Sequence, residues 1–286
     1  MSMKKSTRNF RYNHRKKGLC VRCENMSSFI VMDIVKEAEK FEDCIHFEIG
    51  QPDLPPSPKV KEALHVNSIR AILCEKPLVS NAKELRVLKP KLLSSEKKIL
   101  IHMMRRFDPS FIKLANDIAL HKWGKALHFQ GVFTKGLLHN GIHMLGVLTH
   151  FFGEIHTIKA LHVKHKEDDI SGDFDITCKD ARGILTCIEE LPYSAFELSI
   201  WFEHGKIEIK EGGSRIDTFI KKPSALYEGY FALEHESTLP NSLNSYALHS
   251  LEFLLEADDI TCKRLLEEHI RVHETIFETI SKETSK

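Results

Sequence analysis

The chain has 286 residues, 42% of them apolar, and a formal net charge of +1 with histidine neutral. That length suits one large or two modest domains able to bury a core, and the near-neutral balance gives no global field for nucleic acid. No run of 18 or more apolar residues offers a membrane span, so neither a membrane nor a nucleic acid is the expected partner. Seven scattered cysteines, odd in number, fit reduced thiols in a cytoplasmic protein.

Residues 1–28 read as a basic, disordered, solvated arm. No acidic residue precedes Glu24, while Lys4, Lys5, Arg8, Arg11, Arg15, Lys16, Lys17 and Arg22 are all basic. A nucleic-acid tail or an organelle transit peptide is the alternative use of such an arm. Cys20 and Cys23 make a lone C-x-x-C with no further zinc ligands nearby, and read as two thiols. Residues 29–41 put Ile30, Ile34, Ala38 and Phe41 on one helical face. Cys44–Ile49 then reads as a strand stopped by Gly50, and Ser57-Pro58 opens a short helix to Leu64.

Beyond His65 the pattern changes. Ala71–Cys74 is a short apolar strand, and Asn81 with Glu84 resembles a capping box for a helix that Pro90 breaks. Ile99–Met103 is a second strand. Asp108-Pro109 opens a helix through His121, Ala126–Phe133 is a strand, and a helix runs from about Gly141 to Phe152. The period then becomes two, with candidate strands Thr157–Val163, Phe174–Cys178, Gly183–Ile188, Ala195–Trp201, Lys206–Lys210 and Arg215–Phe219. Two helices close the chain, one showing Leu243, Ala247, Leu251 and Leu254, the other Leu265, Val272, Ile276 and Ile280.

Four motifs in this order carry a resemblance. They are Cys74-Glu75-Lys76-Pro77-Leu78, Arg105-Arg106-Phe107-Asp108-Pro109, Gly136-Leu137-Leu138-His139-Asn140-Gly141-Ile142-His143, and Trp201 to Glu208. From about Ile69 onward the chain resembles the NAD(P)-dependent sugar oxidoreductases of the Gfo/Idh/MocA family. The resemblance implies hydride transfer between a carbinol carbon and nicotinamide. His143 would be the general base and Lys76 the cation that stabilises the developing alkoxide. Glu75, Lys76 and Pro77 would form the turn at the nicotinamide, and Arg106 and Asn140 would meet a sugar-like substrate. The side chains of Lys76 and His143 would face a common cleft. Many members carry Asp four residues before the catalytic His; that position here is His139. Spacings of four and seven among His139, His143 and His150 raise a zinc reading, but no H-E-x-x-H pattern accompanies them, and no metal is expected.

A second, shorter likeness covers 29–64. Ile45-His46-Phe47-Glu48-Ile49-Gly50-Gln51-Pro52-Asp53 looks like the N-terminal segment of class I pyridoxal-phosphate aminotransferases. No Schiff-base Lys in a Ser-rich loop follows, so no pyridoxal phosphate is expected. The first family opens on a βαβ unit whose G-x-G-x-x-G turn cradles pyrophosphate, and none of the fourteen glycines here has that spacing.

The expected fold is therefore α/β. A truncated Rossmann-type remnant over 66–106 follows an aminotransferase-like segment at 29–65, and an α+β domain with an open, mainly antiparallel sheet covers 107–286. The expected function is a sugar oxidoreductase impaired by loss of its cofactor unit, binding NAD or NADP weakly or not at all. A fused or truncated gene would give this arrangement. The alternatives are a non-catalytic binding or dimerisation module and, more remotely, an aminotransferase-related protein. The resemblance also implies a homodimer through the C-terminal sheet.

Overall fold

The computed structural model describes residues 69–166, 169–240 and 243–284. The basic arm with Cys20 and Cys23, and the aminotransferase-like segment, lie outside the described residues. Within them, β1 (Ala71–Cys74) and β2 (Lys98–Ile101) form a two-stranded parallel sheet, crossed over by α1 (Ala82–Leu93). Next come a 3₁₀ turn at Met104–Phe107 and helix α2 (Pro109–Ala119). Strand β3 (Ala126–Phe133), a π turn at Leu137–Gly141 and helix α3 (Ile142–Phe152) follow.

Seven further strands build the large sheet: β4 (Ile155–Lys166), β5 (Asp169–Cys178), β6 (Arg182–Cys187), β7 (Phe196–Phe202), β8 (Gly205–Lys210), β9 (Arg215–Pro223) and β10 (Phe231–Leu239). Its order is β10-β9-β8-β7-β3-β6-β5-β4, antiparallel throughout except for the β3–β6 pair. Helices α4 (Tyr246–Glu256) and α5 (Asp259–Thr284) end the described chain. The architecture is the α/β class with an open, mostly antiparallel sheet that the sequence predicts. No helix among the described residues is long and apolar enough to cross a membrane.

Alternation sets the layers. In β7 the residues Phe196, Leu198, Ile200 and Phe202 are buried while Glu197, Ser199 and Trp201 face the other way. One continuous core joins this buried face to α2, α3, α5 and the small parallel sheet, running from Ile72 and Ile99 to Phe129, Phe174 and Ile276. Helix starts follow side-chain chemistry. The Asp108 carboxylate accepts from Ser110 N at 2.8 Å and Phe111 N at 3.4 Å, with Pro109 in the first turn.

One expectation is corrected, and one strand stands beyond those expected. Pro90 does not break α1, which runs on to Leu93. Proline removes only its own N–H and crowds the carbonyl four residues back. It stands in the last turn, where Pro90 O still accepts from Ser94 N at 3.0 Å and buried Leu88 and Leu92 hold the helix to the core. Strand β10 was not read from the sequence, since nearly all of it is exposed and no apolar alternation marks it. Polar ties fix it instead. Glu236 accepts from Trp123 Nε1 at 3.3 Å, Lys122 Nζ at 3.1 Å and Thr218 Oγ1 at 3.0 Å.

Phe129 lies on the central strand β3, is fully buried, and stacks on Phe152 with ring centroids 6.0 Å apart. Truncating it opens a cavity where sheet and helices meet. Phe129→Ala is expected to lower unfolding free energy by about 3–5 kcal/mol in urea denaturation, with an unchanged m-value.

Candidate active site

Cys74 of β1 is paired in register with Ile101 of β2, so Glu75 and His102 emerge side by side from the carboxyl ends of the two strands. Open α/β sheets place polar sites at that edge. The Glu75 carboxylate lies 2.6 Å from Nδ1 of His102, a buried ring that stacks on Tyr246 at 5.3 Å. Burial, then the charge of Glu75, pushes the Tyr246 phenol above its ordinary value. His102 is a polar site residue that sequence reasoning missed; only its place directly after a strand could have drawn attention to it. The Lys76–Pro77 peptide that follows Glu75 is cis.

Lys76 Nζ donates to the carbonyl oxygen of His139 at 2.8 Å. His139 belongs to the π turn, and His143, the second residue of α3, follows one helical turn later. The Lys76 ammonium is therefore seated on the turn that leads into α3, and its charge acts on the His143 ring. Burial lowers the Lys76 ammonium below its usual range, Glu75 opposes that, and Lys135 and Arg105 add to it. The His143 imidazole is held well below its ordinary value, first by burial, then by Lys76, Arg105, His102 and His139. It is therefore neutral at pH 7 and able to accept a proton, and the charged groups that act on it are cations and imidazoles.

The turn that carries these groups is tied to β5. The Asp169 carboxylate accepts from Leu138 N at 2.8 Å, His139 N at 3.1 Å and Ile170 N at 2.8 Å. Gly136 has φ +80, and a Cβ there would overlap that carboxylate. Only glycine suits both the left-handed backbone and the close approach. Asp169 also escaped the sequence reading, being one acid among several in a polar stretch.

The other sequence-predicted site residues fall as follows. Asn140 sits in the π turn, half-buried, with its N–H bonded to Gly136 O at 3.2 Å. Arg106 directs its guanidinium at Glu268 of α5, with Nη2 to Oε2 at 3.1 Å, and reaches Thr149 at 3.4 Å. Its partners are thus structural groups of α5 and α3. The neighbouring Arg105 lies 3.7 Å over the Phe196 ring and donates to Gly212 O at 3.0 Å through Nε. Burial lowers its guanidinium to about 10. Arg105 is the arginine that acts electrostatically on both Lys76 and His143.

The sequence matches no protein-family model and no curated protein. The structure is similar in fold to solved oxidoreductases. A dehydrogenase from Chromobacterium violaceum superposes with a TM-score of 0.61 at 16% identity, over 83% of this chain and 77% of that one. Levoglucosan dehydrogenase, solved with NADH and L-sorbose, gives 0.56 at 13% identity over 80% and 76%. An NAD binding oxidoreductase from Klebsiella pneumoniae gives 0.54 at 14% identity over 74% and 72%.

A dinucleotide needs unengaged backbone N–H groups at the start of a helix that follows a parallel strand. Among the described residues, α1 is the helix that connects the parallel pair, and its start is closed. Asn81 Oδ1 accepts from Lys83 N and Glu84 N, both at 3.1 Å, and Glu84 Oε2 accepts from Ser80 N at 3.0 Å. The Glu84 charge would repel a pyrophosphate. The start of α1 is therefore not an open cradle for a pyrophosphate.

Behind the site lies a further group of buried histidines. His269 and His273 of α5 meet edge to face at 4.7 Å, and burial lowers His273 to about 4. Burial, then Arg106, lowers His150 to about 3. These rings are neutral in the folded chain, while unfolded histidine titrates near 6.5. The unfolded state therefore binds more protons at acid pH. The stability is fully present above about pH 6.5 and is lost as pH falls, through about 4 for His273 and about 3 for His150. Each ring is expected to contribute up to about 1.4 kcal/mol per pH unit across its window. Urea denaturation between pH 7 and 4 checks this, and His273→Leu is expected to flatten the slope.

Proposed function

We propose that this chain is a sugar-class oxidoreductase of the Gfo/Idh/MocA type by descent. In this reading it retains the polar site on which such enzymes act on a carbinol, and it is impaired in binding the dinucleotide. The observation that carries the reading is the docking of the Lys76 ammonium on the carbonyl of His139, one turn before His143. A neutral imidazole beside a fixed cation is the pairing that deprotonates a hydroxyl and holds the resulting oxyanion. The ligand class is a small polyol or sugar, whose hydroxyls suit Lys76, His143 and Asn140. Glu75, with its carboxylate on His102, orients the turn that carries Lys76 and Pro77.

A second reading, a non-catalytic binding or dimerisation module, has its own support. The four cationic or imidazole neighbours of His143 weaken it as a base. The outer sheet face presents Trp201 with Lys206 4.8 Å from its ring, a surface that a second copy can cover. Sedimentation separates a dimer from the 32.9 kDa monomer.

Calorimetry is expected to find at most very weak binding of NAD(H) or NADP(H); micromolar affinity sinks the impaired-site reading. Pyridoxal phosphate is expected to form no aldimine that borohydride traps on one lysine. Grafting a complete dinucleotide-binding unit before Ile69 is expected to give sugar-dependent NAD(P) reduction. His143→Ala or Lys76→Ala in that graft should each cut the rate by roughly 10²-fold or more. Undiminished activity in either would show that the residues are wrongly assigned.

A further inference from the structure

One residue of the π turn is bonded to an anion on one side and to a cation on the other. The N–H of His139 donates to Asp169 Oδ2 at 3.1 Å, and its carbonyl accepts from Lys76 Nζ at 2.8 Å. Asp169 and Lys76 thus sit at the two ends of a single amino-acid residue. The other carboxylate oxygen takes the N–H groups of Leu138 and Ile170, both at 2.8 Å. Consecutive backbone N–H groups converging on one acid form a small anion nest, and Gly136 leaves the room for it.

We propose that Asp169 is a positioning residue for Lys76, acting through the backbone of His139 to hold the ammonium charged and aimed beside His143. The proposal rests on the reading of Lys76 as the cation of the site. The His139 N–H and carbonyl belong to the peptide units on either side of its Cα, so Asp169 acts by fixing the turn, and with it the direction of the carbonyl that receives the ammonium, while its charge acts on Lys76 through space in a partly buried setting. The negative charge also lies at the start of the turn that leads into α3, where helix N–H groups favour it.

Burial alone disfavours both charges. It raises the Asp169 carboxyl, against which the backbone N–H groups of Leu138, Ile170 and His139 pull it down. It lowers the Lys76 ammonium, with Glu75 opposing and Lys135 and Arg105 reinforcing. Glu75 is the one charged neighbour that favours the ammonium, and its carboxylate is already engaged by His102. On this proposal Asp169 adds, from the sheet and through the turn, a second anion to the one that Glu75 supplies. This chain has His139 where its resemblance expects a carboxylate, so an acid acting through the backbone restores negative charge to the turn without touching the imidazole.

The test measures Lys76 itself, by acetic anhydride labelling across pH with peptide mass spectrometry, using Lys113 as a remote internal control. Asp169→Asn keeps the shape and removes the charge. It is expected to move the labelling midpoint of Lys76 downward and to raise its rate at fixed pH by roughly three- to tenfold, the change that half to one pKa unit gives. Asp169→Glu is expected to bring the midpoint back towards the wild type. An unchanged Lys76 midpoint in folded Asp169→Asn overturns the proposal. Coupling of this kind is reciprocal, so Lys76→Met is expected to raise the carboxyl midpoint of Asp169 read by carbon NMR. Should Asp169→Asn fail to fold, an unmoved Asp169 midpoint in Lys76→Met overturns the proposal alone. The labelling result is independent of turnover. If the grafted enzyme ignored Lys76→Ala while the labelling coupling held, the functional reading would fail and the positioning role would stand.

Discussion

A parallel pair of four-residue strands cannot stand in water by itself. Two-stranded sheets are marginal, and parallel ones need cover on their faces. In this chain α5 provides it. Twenty-six residues long, it carries Leu266, Ile270, Val272, Ile276 and Phe277 into the same core as Ile72, Ile99 and Ile101. On another side Leu254 of α4 and Leu265 of α5 bury Leu100, with Phe253 against Phe107 at 4.7 Å. The Arg106–Glu268 pair, with both side chains largely withdrawn from water, pins the turn after β2 to the same helix. Everything at the carboxyl ends of β1 and β2, Lys76 included, takes its position from this clamp. Arg106 therefore has a structural occupation whatever else it does, because leaving Glu268 unpaired in that setting would be strongly destabilising.

The electrostatics of the site follow from which charges are already committed. Its two acids are both engaged: Glu75 with His102, Asp169 with three backbone N–H groups. The cations are held by neutral partners. Lys76 donates to a carbonyl, and Arg105 rests on a carbonyl and the Phe196 face. What a ligand meets is therefore a cationic field in which His143 stays unprotonated. Such a field suits a hydroxyl that develops negative charge, since the donors are in place before the charge appears. It is less suited to storing a proton on His143, since burial and the charges of Lys76 and Arg105 all oppose the imidazolium.

Much of the scaffold was legible because local chemistry repeats itself. Asn81 and Asp108 announce α1 and α2, and the period-two runs announce β6, β7 and β8. The motif at Glu75-Lys76-Pro77 and the turn ending at His143 could be set on their elements from sequence alone. Three things could not. Pro90 reads as a break when the burial of Leu92 is unknown. β10 is an edge strand held by Glu236 and Thr218, partners far apart in sequence, and carries no apolar period. The first half of β5 gives the core only Ile170 among its apolar residues, while Asp169 beside it serves a turn. His102, Arg105 and Asp169 become site residues only through pairings 27 to 107 positions apart, which no window of sequence contains.

The closure of α1 and the integrity of the Lys76 region have separate causes. Lys76 is fixed by β1 behind it, by the carbonyl of His139 ahead of it and, through that turn, by β5 of the large sheet. None of these ties passes through the start of α1. The capping of α1 by Asn81 and Glu84 is a local arrangement within a few residues. The start of α1 can therefore be closed without disturbing the seat of Lys76. Asp169 and Gly136 also complete the backbone bonding of that turn, so its shape is a requirement of folding before it is one of chemistry.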